Sequence, residues 1–163
     1  MVQSIGFGCQ AVFRDSIEGQ KRDFSVTGNA KLAGVRTNAE NAAALQDVVD
    51  YFNENRLAED AARGRRLLTF GDVPGFCWIF DMPSGLLSHD WPDMNTYPAA
   101  QMKEDLEAIY RMDSEPPLVI LCPENVDFED PQEAEKWALL QEFLQGYGLV
   151  MDNGTYQIYD LRG

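Results

Sequence analysis

The chain has 163 residues, with 13 Lys and Arg against 27 Asp and Glu, a formal net charge of -14 and 45% apolar residues. That length suits one domain, residues 1–163, able to bury a core without disulfides or metals. Nine Phe, six Tyr and three Trp argue against a disordered chain. The acidic balance weighs against nucleic acid and against a polybasic membrane patch, both of which call for Lys and Arg.

In chain order, residues 4–13 and 22–27 read as two strands around a turn-like segment at 14–19, which suggests a hairpin or neighbouring strands. Thr37 and Glu40 have the spacing of a capping box. Leu45, Val48, Val49 and Phe52 then place one apolar stripe on a helix over 38–56. Leu67-Leu68-Thr69-Phe70 reads as a buried strand ended by Gly71-Asp72. Pro74 opens a short helix over 76–80. Residues 81–98 form a long irregular loop whose aromatic content favours order. Pro98 starts a helix with Met102, Leu106, Ile109 and Tyr110 on its apolar face, and Pro116-Pro117 stop it. Residues 118–122 form a second buried strand. Asp130, Pro131 and Glu133 mark a helix start. Trp137, Leu140 and Leu144 face inward on that helix, and Gly146 suits its end. Asn153-Gly154 signals a closing hairpin between 147–151 and 155–161. Strands alternating with helices imply the α/β class: a Rossmann-like three-layer sandwich with a mixed central sheet and terminal β-hairpins.

No stretch approaches the ~20 apolar residues of a membrane-spanning helix. No Lys or Arg precedes Arg14, so no signal-peptide pattern is visible. Cys9, Cys77 and Cys122 are too sparse for a disulfide scaffold or a zinc site and read as unlinked thiols; Cys77 and Cys122 read as small core hydrophobes.

Three segments are candidates for chemistry. Gly71-Asp72-Val73-Pro74-Gly75 follows a buried strand, and ligands of open α/β sheets bind at the carboxyl ends of strands. It lacks the spacing of a phosphate loop or a dinucleotide fingerprint, and turn chemistry alone also accounts for its residues. In His89-Asp90-Trp91-Pro92-Asp93, the His suits a general base or a metal ligand and the Trp suits stacking on a sugar ring. The same residues also read as a surface His and a loop-anchoring Trp. Glu124, Asp127, Glu129 and Asp130 supply oxygens but lack EF-hand spacing, and helix capping and solubility explain them. The residues to watch for binding are therefore Asp72, His89, Asp90, Trp91 and Asp93. No catalytic residue, metal or cofactor is expected from the motifs.

Four strings carry a resemblance: Val12-Phe13-Arg14-Asp15; Leu32-Ala33-Gly34-Val35-Arg36-Thr37-Asn38-Ala39-Glu40; Leu68-Thr69-Phe70-Gly71-Asp72-Val73-Pro74-Gly75; and Ser88-His89-Asp90-Trp91-Pro92-Asp93-Met94-Asn95-Thr96-Tyr97. In this order they resemble the soluble C-terminal region of polytopic membrane glycosyltransferases of Firmicutes, similar to dolichyl-phosphate-mannose protein mannosyltransferases. The resemblance implies a non-catalytic extracytoplasmic domain beside the membrane-embedded part of a parent protein, binding glycan or acceptor. Residues for the catalytic loop of such enzymes are absent from this sequence. Two other readings of the residues stay open: a stand-alone cytoplasmic small-molecule binder or enzyme using the strand-end crevice, and an interaction scaffold.

Overall fold

The computed structural model describes residues 22–111 and 115–161. The chain forms two compact units, residues 1–51 and 52–163. The expected strand at 4–13, its turn at 14–19 and Cys9 lie outside the described residues.

In the first unit, residues 22–27 make no strand. A single antiparallel bridge joins Phe24 to Thr37, with Phe24 N donating to Thr37 O at 3.3 Å and Thr37 N to Phe24 O at 3.0 Å. Beyond the bridge, the side chain of Gln46 accepts from Thr27 N at 2.8 Å and donates to Thr27 O at 3.1 Å, so this backbone is satisfied by a helix side chain rather than by a strand. Helix α1 spans Ala39–Glu54 and starts one residue later than a Thr37 cap would place it. Asn38 is the cap, its Oδ1 accepting from Asn41 N at 2.8 Å. Thr37 is therefore not the cap, because it belongs to the bridge, and Asn38 caps the helix in its place. Val48 and Val49 are buried as the stripe requires, whereas Leu45 is half-buried.

The second unit holds Phe52, which is buried and stacks on Phe80 with centroids 3.6 Å apart. The backbone turns left-handed at Arg56 (φ 54°), two residues past the end of α1, and a short helix α2, Leu57–Ala62, follows that the sequence reading missed. Strand β1, Leu67–Phe70, helix α3, Gly75–Ile79, and helix α4, Ala99–Arg111, come next. They are followed by strand β2, Leu118–Leu121, helix α5, Pro131–Phe143, and strands β3, Gly148–Asp152, and β4, Gln157–Asp160. Asp130 caps α5 by accepting from Gln132 N at 2.8 Å, with Pro131 in the first turn. Glu133 reaches further back than a capping box, to Asp127 N at 2.7 Å.

The sheet has the order β1-β2-β4-β3, with β1 and β2 parallel and the other two pairs antiparallel. The fold is α/β, with an open mixed sheet. Asn153 shapes the closing hairpin: its Oδ1 accepts from Tyr156 N at 2.8 Å while Gly154 takes φ 87°. The β1 and β2 residues are all buried, as a continuous apolar run in a parallel pair requires. Leu68, Phe70, Val119 and Leu121 share a core with Met102, Leu106 and Ile109 of α4 and with Leu140 and Phe143 of α5. Tyr110 departs from its expected inward position. It is 64% exposed, with its ring beside Phe143 and its hydroxyl donating to Phe143 O at 2.9 Å. A phenol that keeps its hydroxyl at the helix surface satisfies both its polar tip and its ring.

Arg65, just before β1, is wholly buried. It donates to both oxygens of Asp160 at 2.7 and 3.1 Å, to Asp60 at 3.1 Å and to Pro116 O at 3.0 Å. One guanidinium thus joins α2, β4 and the entry to β2. Bidentate geometry is what lets such a buried charge persist.

Candidate functional site at the strand ends

Strands β1 and β2 end side by side, and the chain after each builds the site. Gly71 is required there. It takes φ 92°, and a Cβ on it would run into the carbonyl of Cys122. Its N–H donates to Asp93 Oδ1 at 2.7 Å, and its carbonyl accepts from Asn125 Nδ2 at 3.0 Å. One turn is thus gripped by the loop before α4 and by the loop after β2.

Asp72 follows in a left-handed conformation, φ 55°, a region that Asp tolerates better than most residues. Its carboxylate accepts from Trp91 Nε1 at 3.0 Å. His89 Nδ1 accepts from Trp91 N at 3.0 Å, and its ring stacks on Tyr97 with centroids 5.2 Å apart. His89 and Trp91 are half-buried, Asp93 is buried and Asp90 is exposed. Asp72, Trp91 and His89, three of the five residues singled out by sequence, are therefore joined by hydrogen bonds, and Asp93 meets the same turn through Gly71. Asp90 stays at its edge, where its charge adds to the effect of burial in holding the Cys77 thiol protonated, at a pKa of about 11. Cys77 Sγ donates to Leu67 O at 3.4 Å.

Three positions that sequence did not single out hold the site, two of them by the loop and one by the Gly71 turn. Lys136 on α5 is wholly buried and donates to Pro92 O at 2.8 Å and Met94 O at 3.0 Å. Burial lowers its pKa, against the pull of Asp93, Glu133 and Asp130. Asp105 on α4 accepts from Ser88 N at 3.1 Å and from the Tyr97 hydroxyl at 2.8 Å. Burial works against its charge, yet the bonds from Ser88 and Tyr97 prevail and its pKa lies below the ordinary range. Asn125 completes the set. At the loop's start, Leu67 N donates to Pro83 O at 2.9 Å and Gly85 N to Leu67 O at 2.7 Å, extending the edge of β1.

The chemistry available is that of a held surface. His89 has no hydroxyl or thiol hydrogen-bonded to its ring among the described residues, and Ser88 Oγ is engaged by Asp105. Among the described residues no group of three His, Cys, Asp or Glu is placed to hold a metal ion. In the acidic stretch, Asp127 accepts from Glu129 N at 2.9 Å and Asp130 caps α5, so these carboxylates bond to backbone. A separate groove of about 290 Å³, lined by Leu106, Tyr110, Leu139 and Phe143, lies between α4 and α5 and includes none of the residues singled out by sequence. No helix among the described residues is long and apolar enough to cross a membrane. Comparison with protein-family models, curated proteins and solved structures finds no match.

Proposed function

We propose that the chain is a non-catalytic binding domain of a membrane glycosyltransferase. It stands on the extracytoplasmic face beside the membrane-embedded part of its parent and holds glycan or acceptor at the strand ends. The finer architecture of this reading is a Rossmann-like three-layer sandwich, with α4 and α5 on one face of the sheet.

The observation that carries the reading is Trp91. Its ring is half-buried, and its indole N–H is pinned by Asp72 at 3.0 Å. A ring already held in one orientation loses little entropy when a sugar stacks on it. Exposed Asp90 is the carboxylate acceptor beside it for sugar hydroxyls.

The test is an amide-resonance titration of the chain with manno-oligosaccharides. Shifts are expected at the Trp91 indole, Asp72 and Asp90, with at least tenfold weaker binding in W91A. Unmoved resonances at the strand ends, or W91A binding like the parent chain, would contradict the reading. W91F, which keeps a ring but loses the bond to Asp72, is measured alongside in case W91A fails to fold.

A further inference from the structure

Residues 84–98 are fastened to the strand ends by Asp93, a carboxyl only 5% exposed. Its Oδ1 accepts from Gly71 N, while the buried Oδ2 has no hydrogen-bond partner among the described residues. The ammonium of Lys136 donates to the carbonyls on either side, Pro92 O and Met94 O. The charged groups that act on Asp93 are Lys136 and Glu133 from α5; Asp72 stands next to Gly71 in the turn after β1, and His89 and Asp90 precede Asp93 in its own loop. Asp72 is engaged by Trp91, and Glu133 by Asp127 N. A carboxylate oxygen buried without a donor is costly when charged and far less so when neutral.

We propose that Asp93 is a proton-operated latch: with its carboxyl protonated, residues 84–98 stay seated on the strand ends, and release of that proton to solvent loosens them. The latch is independent of what the loop binds. Burial is the largest effect on this carboxyl. It outweighs the bond from Gly71 and holds the pKa up at about 6. In an opened loop the group meets water, and its pKa returns to about 4. As pH rises from about 4 through about 6, the opened form releases its proton first, so opening becomes easier. Above that window the effect is complete. Two pKa units correspond to about a hundredfold in the opening constant.

Amide hydrogen exchange reads this directly. Protection of the Gly71, Met94 and Tyr97 amides, corrected for intrinsic exchange, should fall by up to about a hundredfold between pH 4 and pH 6.5. In D93N, which keeps an acceptor for Gly71 and cannot ionise, protection should stay level. No fall in the parent chain, or an equal fall in D93N, would overturn the latch. His89 shares the loop, so H89N is measured beside it; persistence of the fall is expected there, and its loss would assign the effect to the imidazole. A carbon-13 titration of the Asp93 carboxyl in the unmodified chain covers the case in which D93N fails to fold. A midpoint near 6 supports the latch, and one near 4 overturns it.

Discussion

Single side chains carry most of the strand-end architecture. Gly71 has no room for a Cβ beside Cys122 O and holds a φ that L residues rarely adopt. G71A should therefore cost about 3 kcal/mol or more in a denaturant titration, combining backbone strain with displacement of β2. Arg65 has a comparable role at the opposite end of the sheet, before β1. R65M would leave the carboxylates of Asp60 and Asp160 buried beside an apolar chain. Loss of about 3–5 kcal/mol is expected from unfolding curves, whereas a loss under 1 kcal/mol would mean that water reaches those carboxylates. Asp105 has a folded pKa below the ordinary value. Its contribution is present above about pH 4 and is lost as pH falls through the lowered value. D105N should flatten the acid limb of a stability-against-pH curve. Asp93 has the opposite sign and acts at higher pH.

At the scale of elements, legibility followed how local each signal is. β1, apolar but for Thr69, lies where the sequence put it and β2 ends one residue short of the expected 122; both were legible because strands buried on two faces need no alternation. The α5 start was legible because Asp130 and Pro131 act within one turn, and D130A should cost about 1 kcal/mol, read as a Tm lower by about 2–4 °C. The closing hairpin was legible because Asn153-Gly154 sets its own turn. The start of α1 was misread by one residue, since Thr37 and Asn38 are both capable caps and only the bridge to Phe24 decides between them. Helix α2 went unseen because six residues give too few turns for a period. At the strand ends, Asp72, Trp91 and Asp93 were legible through the strand-end rule and their clustering. Lys136 and Asp105 were not, because a charged residue on a helix reads as solvent-facing, and only the fold places their partners 42 to 44 and 8 to 17 residues away in sequence.

At the scale of the whole molecule, the charge of -14 bears on stability, and the proposed role bears on where the chain works. Self-repulsion among so many carboxylates is screened by salt. The Tm of the chain should rise by a few degrees between 20 mM and 300 mM sodium chloride, and a Tm that falls would mean that specific ion pairs outweigh the net charge. A binding domain of a membrane glycosyltransferase should never be found alone. The measurement that bears most directly on this is an antibody raised against the chain and applied to intact protoplasts of its source cells, before and after added protease. A large membrane-bound band trimmed from outside is the expected result. A small soluble band that resists the protease would contradict the proposed role and would turn the search to a cytoplasmic ligand at the Asp72–Trp91 end of the sheet.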